Sequence, residues 1–167
     1  MFYNDSNMFY KTQCEKILMA DYTQPFAERI VCNTAEEKFE EYCLQKDVEY
    51  YKYGIDDHPF GSKFYKVNRF MRNTPDYIVM NHQDASFIEV KGFKKTLKMK
   101  EKDINSYKFW NNHMNLYYYF YSTTYDEMKF ISHLDLIKAL PLCETGNYPD
   151  ATKWDDKMYY VIKWENI

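Results

Sequence analysis

Two acidic residues and a lysine lie near one another in the middle of the chain, and their side chains are of the kinds that bind cations and phosphates. Asp76 precedes one strand-like run of apolar residues, and Glu89 and Lys91 interrupt the next such run. Alternate side chains of a strand share a face, so Glu89 and Lys91 project to one side and Ile88 and Val90 to the other. Burying a carboxylate and an ammonium costs several kcal/mol unless they are paired or bind an ion. This placement therefore indicates a functional site.

The residue types suit a divalent cation and a phosphate. If the two runs pair as a hairpin, Asp76 lies close to Glu89, and two converging carboxylates form a hard oxygen site suited to Mg²⁺. Lys91 beside that site would stabilise negative charge on a phosphate or orient an attacking water, the two tasks of phosphodiester hydrolysis. Glu36, on an upstream helix, would add a third carboxylate that completes a second metal position or holds the attacking water.

Each of these residues also has an ordinary structural interpretation. Asp76 taken alone is a turn aspartate after a proline, and Glu89 with Lys91 is a surface salt bridge. Their joint occurrence favours the catalytic interpretation for these three residues. For Glu36 both interpretations stay open.

The order of these residues resembles that of the PD-(D/E)XK nuclease superfamily. Pro-Asp at 75–76 is followed by a spacer of twelve residues and by Glu-Val-Lys-Gly at 89–92. The resemblance covers about residues 34–122. It implies an α/β fold with a restriction-endonuclease-like core, in which a central mixed β-sheet is flanked by helices in the order αβββαβ.

The resemblance also implies roles for individual residues. Asp76 and Glu89 would bind Mg²⁺, for which Mn²⁺ can substitute, with the Val90 carbonyl as a further ligand. Lys91 would be catalytic, and the upstream helix would supply Glu36 as a further metal ligand and catalytic residue. The helix after the motif would add a polar or basic side chain, and the sequence does not rank the candidates Lys98, Lys100 and Tyr107.

The charge distribution suggests where a polyanion would lie. The formal net charge is −3, from 22 basic and 25 acidic residues, which argues against indiscriminate nucleic-acid binding. Six lysines nevertheless fall between positions 91 and 102. A lysine run is ordinarily a solvated helix face, but beside a phosphodiesterase site it predicts contacts with the DNA backbone. The predicted DNA-binding residues are Lys94, Lys95, Lys98, Lys100, Arg69 and Arg72.

Apolar periodicity predicts the elements that must hold the site. The first strong helix begins with Asn33 or Thr34 as N-cap and turns Ala35, Phe39 and Cys43 inward. A weaker pattern predicts a short helix at 12–20. The other predicted elements are strands at 48–53, 63–71, 77–80 and 86–92, a helix at 96–112, a strand at 115–122, a helix at 133–140 and a strand at 158–164. The aromatic run 117–121 could stack bases, although a strand buried on both faces is favoured.

Length and composition favour one domain over residues 1–167, with its core at about 34–122 and extensions at 1–32 and 123–167. With 46% hydrophobic residues, of which many are aromatic, the chain can bury a core, which excludes intrinsic disorder. The four cysteines have no paired spacing, which argues against a zinc site or a disulfide scaffold. The sequence shows neither a secretory signal nor a membrane-spanning run, so we expect a cytoplasmic protein, in the host cytoplasm if the chain is phage-encoded.

These observations predict a Mg²⁺-dependent endonuclease that hydrolyses DNA phosphodiester bonds, specific for branched DNA or restriction-like. Residues 158–164, rich in aromatics, are a candidate homodimer interface. The alternative is a non-catalytic protein that keeps the nuclease fold and binds nucleic acid or a host factor. The sequence does not separate DNA from RNA as the substrate.

Overall fold

A computed structural model of the chain describes residues 26–55, 66–81, 84–147 and 158–167. Its helices are α1 Phe26–Gln45, α2 Arg69–Arg72, α3 Glu101–Asn111 and α4 His133–Ala139, with 3-10 turns at Leu140–Leu142 and Trp164–Asn166. Its strands are β1 Glu49–Lys52, β2 Tyr77–Asn81, β3 Asp84–Phe93, β4 Thr96–Lys100, β5 Leu116–Ser122, β6 Glu127–Ser132, β7 Glu144–Asn147 and β8 Met158–Lys163.

A five-stranded mixed sheet forms the centre of the fold. Its strand order is β1-β2-β3-β5-β6, and all neighbours are antiparallel except β3 and β5, which are parallel. A parallel pair needs a long crossover, and α3 lies in the connection between these two strands. The α/β class, the mixed sheet and the αβββαβ order predicted from the sequence are confirmed.

Helices cover the central sheet on both faces. On one face, α1 buries Ala35, Phe39 and Cys43 against a cluster that includes Ile88 and Val90 of β3. On the other, α3 packs against a larger cluster, formed by Phe87, Phe93, Met99, Ile104, Tyr107, Trp110, Leu116, Tyr118, Phe120, Leu136, Leu140, Ile162 and Trp164. From 118 to 121, β5 is buried throughout, which supports the interpretation of this run as a strand enclosed between two layers.

A second sheet joins the segment after β3 to the C-terminal part of the described chain. It has three antiparallel strands in the order β4-β8-β7. The middle strand, β8, is the segment predicted as a dimer interface, but both of its edges are already paired. Ile162 and Trp164 are buried in the core of the same chain. Homodimer formation stays a prediction.

The structure corrects the predicted element boundaries in three places. Helix α1 begins at Phe26, so Asn33 and Thr34 lie inside the helix and neither is its N-cap. Within the predicted strand 63–71, residues 69–71 belong to α2, and 63–65 lie outside the described residues. The predicted helix 96–112 begins only at Glu101, because Thr96–Lys100 pairs with β8 as a strand.

The remaining outcomes concern the N-terminal helix, two further strands, the cysteines and the membrane. The predicted helix 12–20 lies outside the described residues. Strands β6 and β7 were not predicted. Among the described cysteines, Cys43 is a buried and Cys143 a partly buried free thiol. No described helix is long and apolar enough to cross a membrane.

Candidate active site

The pairing of β2 with β3 brings Asp76 beside Glu89. Tyr77 pairs with Ile88 in antiparallel register, so the residue before Tyr77 lies next to the residue after Ile88. A carboxylate oxygen of Asp76, Oδ2, accepts a hydrogen bond of 2.7 Å from the backbone N–H of Val90. The predicted approach of the two carboxylates at the start of β2 is therefore present.

The backbone of Asp76 is fixed by the loop after β1. Its carbonyl oxygen accepts hydrogen bonds from the N–H groups of Tyr53, at 2.7 Å, and Gly54, at 3.0 Å. A Cβ atom at Gly54 would lie 3.3 Å from Asp76 Cα, closer than most Cβ contacts. Glycine therefore allows this loop to approach the site closely, a role that the sequence pattern did not single out.

Glu89 is the buried centre of the site. Its side chain is 2% exposed, and it projects toward α3 while Ile88 and Val90 project toward α1. Its Oε1 atom accepts hydrogen bonds from Lys91 Nζ and from the hydroxyl of Tyr107 on α3. Lys91 is 34% exposed, so it reaches from the buried carboxylate to the surface. The predicted shared orientation of Glu89 and Lys91 is present in the structure.

Of the three candidates that the sequence did not rank, Tyr107 lies on α3 and contacts Glu89, whereas Lys98 and Lys100 lie on β4 and not on the helix. Burial and, secondly, the charge of Glu89 raise the pKa of Tyr107 well above its usual value, so its hydroxyl stays protonated and acts as a donor. Behind it, the ring of Tyr118 packs edge to face at 5.8 Å, and the Tyr118 hydroxyl lies 3.0 Å from His133 Nδ1. This second layer holds the Tyr107 ring in place.

The electrostatics of Asp76 indicate the kind of ion that fits here. Burial and then the negative charge of Glu89 raise the pKa of Asp76 well above its usual value, against the opposing effects of Lys91 and the Val90 N–H. A divalent cation between the two carboxylates would relieve this repulsion. The available donors are oxygens of Asp76 and Glu89, with the Val90 carbonyl adjacent in the chain. This donor set suits Mg²⁺.

Glu36 is held at the edge of this site by a different partner. Its carboxylate binds Lys52 Nζ of β1 at 3.0 Å, and both side chains are partly exposed. The negative charge of Glu36 makes a small further contribution to the raised pKa of Asp76. Among the described residues, no group of three Asp, Glu, His or Cys side chains is arranged to hold a metal ion. The structure thus brings Asp76, Glu89 and Lys91 together and leaves Glu36 paired with Lys52.

The predicted DNA-binding residues separate into two places. Lys94 and Lys95 form the exposed turn between β3 and β4, and Lys98 and Lys100 follow on β4. Arg69 and Arg72 lie at the two ends of α2, just before Asp76 in the chain. The side chain of Arg69 is outside the described part of the structure.

One comparison with a solved structure supports the fold. No family model and no curated protein matches the sequence. Among solved structures, the chain is similar to Hjc, a Holliday junction resolvase from the archaeal hyperthermophile Archaeoglobus fulgidus, with 12% identity, 80% of this chain and 89% of that chain covered, and a TM-score of 0.51. It is also similar to a nuclease from a fusselovirus, with 11% identity, 87% and 89% coverage and a TM-score of 0.48.

The comparison with the Archaeoglobus protein bears on the fold. At this level of identity, the similarity to the Archaeoglobus protein shows a common fold and leaves the activity of this chain to be tested. The chain has the restriction-endonuclease-like fold that the resemblance to the PD-(D/E)XK nucleases implies.

Proposed function

We propose that this chain, which has the restriction-endonuclease-like fold, is a Mg²⁺-dependent endonuclease that hydrolyses phosphodiester bonds in DNA. One observation carries the proposal: Asp76, directly before β2, lies beside Glu89 and Lys91 of β3, where Glu89 is buried and its negative charge helps to raise the pKa of Asp76. Two carboxylates so close together are unfavourable for folding without a cation. A site that serves only the fold has no need of this arrangement.

Each residue has a defined task in this proposal. Asp76, Glu89 and the Val90 carbonyl would hold Mg²⁺, which supplies positive charge next to the phosphate during hydrolysis. Lys91 stabilises negative charge on that phosphate or orients the attacking water, from a position that is anchored to Glu89. Tyr107 keeps the Glu89 carboxylate in one orientation by donating to Oε1. Mn²⁺ is expected to replace Mg²⁺, since it also accepts oxygen ligands.

Phosphate contacts by lysines and arginines would position the DNA without reading its bases. We propose Lys94, Lys95, Lys98, Lys100, Arg69 and Arg72 for these contacts. Because the Archaeoglobus protein is a Holliday junction resolvase, a four-way DNA junction is the first substrate to test. Plasmid DNA tests the restriction-like form of the proposal.

The deciding experiment is cleavage of labelled junction, duplex and plasmid DNA by the purified chain in Mg²⁺, Mn²⁺ or EDTA. We expect metal-dependent products, which Lys91→Ala should form on the order of 10²- to 10³-fold more slowly at the same concentration. Cleavage that persists unchanged in Lys91→Ala would reveal a contaminating nuclease. DNA binding without any metal-dependent cleavage would favour the non-catalytic alternative, and RNA cleavage in place of DNA cleavage would correct the substrate.

A further inference from the structure

A second lysine lies at the edge of the candidate site. Lys52 ends β1, where it pairs with Tyr77 of β2 in antiparallel register. Asp76 directly precedes Tyr77, and the N–H of Tyr53, the residue after Lys52, donates a hydrogen bond of 2.7 Å to the Asp76 carbonyl. The backbone that carries Lys52 is therefore fixed next to the backbone of a proposed metal ligand.

The partner of Lys52 comes from α1, which packs against the central sheet. Glu36 accepts a hydrogen bond of 3.0 Å from Lys52 Nζ. Ala35, the residue before Glu36, is fully buried, and Glu40, one helical turn later, accepts a hydrogen bond of 2.8 Å from the Tyr77 hydroxyl. These contacts fix the α1 backbone on both sides of Glu36, so its carboxylate can reach only nearby groups.

The charge of Glu36 acts on the site although its carboxylate is bound elsewhere. Burial, then the charge of Glu89 and, to a smaller extent, the charge of Glu36 raise the pKa of Asp76. Glu36 is thus a neighbour of Asp76, yet its ion pair is with Lys52. A carboxylate that already binds an ammonium group is less available to a metal ion, because the ammonium offsets its charge.

Formal charges indicate how many ions this arrangement can hold. Three carboxylates and two ammonium groups together carry one net negative charge, and they belong to Asp76, Glu89, Glu36, Lys91 and Lys52. One divalent ion changes this to one net positive charge, which a single phosphate neutralises. A second ion would leave three positive charges close together before DNA binds, and like charges repel strongly where water is partly excluded. The charges therefore favour one ion.

We infer that Lys52 is a positioning residue that holds Glu36 away from the metal, so that the site binds a single divalent ion and not a pair. The inference rests on the proposed metal-dependent function and adds the number of ions to it. A partly exposed ion pair is weak by itself, so the repulsion between the Lys52 charge and an entering second cation is the larger part of the effect. Lys52 thus substitutes for the charge of a second metal ion.

The test counts the metal ions that the full chain binds in the absence of DNA. The chain is titrated with Mn²⁺, and the free ion is measured by electron paramagnetic resonance, a readout that does not depend on cleavage. We expect one bound ion in the parent chain and in Lys52→Arg, which keeps the charge, but two in Lys52→Met. Two ions in the parent chain or in Lys52→Arg, or one in Lys52→Met, would overturn the inference. So would a parent chain that binds no Mn²⁺.

Two controls show whether the second ion depends on the Glu36 carboxylate. Lys38→Met removes a lysine from a similar ion pair on α1, in which Lys38 Nζ lies 2.8 Å from Glu41, and it should bind one ion as the parent chain does. Lys52→Met/Glu36→Gln should also bind one, because the second ion needs that carboxylate. Two ions in either control would overturn the role of Lys52.

Thermal unfolding in EDTA checks that each variant is folded. Lys52→Gln is a second neutral variant with the same expected count as Lys52→Met, and it decides the question if Lys52→Met does not fold. One bound ion in a folded Lys52→Gln chain would overturn the inference in the same way.

The ion counts separate this inference from the proposed function. The expected counts without cleavage of any DNA in Mg²⁺ would disprove the nuclease and leave the role of Lys52 in place. Metal-dependent cleavage by a parent chain that binds two ions would do the reverse.

Discussion

The hydroxyl of Tyr107 donates a hydrogen bond to Glu89 Oε1, the same oxygen that Lys91 Nζ contacts. Tyr107 comes from α3 and the other two residues come from β3, so this oxygen joins the helix to the sheet at the candidate site. Both hydrogen bonds hold the carboxylate in one orientation. Glu89 is therefore prepared for a cation before one binds.

Tyr107→Phe should lower metal affinity and keep the fold. The variant removes one donor to Glu89, and loss of such an orienting hydrogen bond typically costs about 10- to 100-fold in metal affinity or activity. The measurement is the Mg²⁺ concentration that gives half-maximal cleavage. Tyr117→Phe on exposed β5 surface is the matched control. A Tyr107→Phe protein with an unchanged Mg²⁺ requirement would show that the hydroxyl only stabilises the fold.

Asp76→Asn should abolish cleavage and stabilise the metal-free protein. The folded state raises the pKa of Asp76, so this group favours folding at low pH and the favourable contribution is lost as pH rises through the folded pKa. Asparagine keeps an oxygen that can accept from the Val90 N–H and carries no charge. In EDTA near neutral pH we expect a higher Tm, by about 2–4 °C for each kcal/mol gained.

Adding Mg²⁺ should raise the Tm of the parent chain and not that of Asp76→Asn, because the variant lacks one of the two ligands. A lower Tm of Asp76→Asn in EDTA would mean that the ionised carboxylate stabilises the fold, contrary to the repulsion argued above.

Lys91→Ala should reduce the cleavage rate at saturating DNA, on the order of 10²- to 10³-fold, as expected for loss of a group that stabilises charge in the transition state. Lys91→Arg keeps the charge but changes its shape, and we expect partial activity from it. Single-turnover kinetics separate this loss from weaker binding. A change in Kd with an unchanged single-turnover rate would move Lys91 from the chemistry to DNA binding.

Glu36→Gln should reduce cleavage less than tenfold, whereas Glu89→Gln should abolish it. The reason is that the Glu36 carboxylate binds Lys52 and is not placed beside Glu89. This ion pair is partly exposed, so its loss should also cost only on the order of 1 kcal/mol or less in stability. Parallel cleavage assays of the two variants decide the matter. If Glu36→Gln is as inactive as Glu89→Gln, Glu36 moves away from Lys52 to join the site when the metal binds.

Protonation of His133 should destabilise the protein at mildly acidic pH. Burial, and then the positive charge of Lys108, lowers the pKa of His133 in the folded state. Its contribution is therefore fully present above the unfolded pKa of about 6.5 and is lost as pH falls below it. His133→Gln should show a smaller decrease in Tm from pH 7 to pH 5 than the parent chain. Equal decreases in both proteins would assign the pH dependence to other groups.

The tertiary structure explains the errors in the predicted elements. Residues 96–100 contain lysines and leucine that suit a helix, yet they pair with β8, which lies about sixty residues later in the chain. Local periodicity contains no information about such a partner. Local preference also misplaces the start of α1. Asn33 and Thr34 are good N-cap residues, yet they lie inside a helix that begins at Phe26.

The sequence by itself determined the α/β class, the order of the core elements and the three residues of the candidate site. It could do so because strand alternation places Glu89 and Lys91 on one face, and because a short connection forces β2 and β3 to pair. Only the tertiary structure selected Tyr107 from among Lys98, Lys100 and Tyr107, paired Glu36 with Lys52, and placed Tyr159 against Lys98. Those contacts join residues that are distant in the chain, and their geometry is set by how helices and strands pack, which no local pattern encodes.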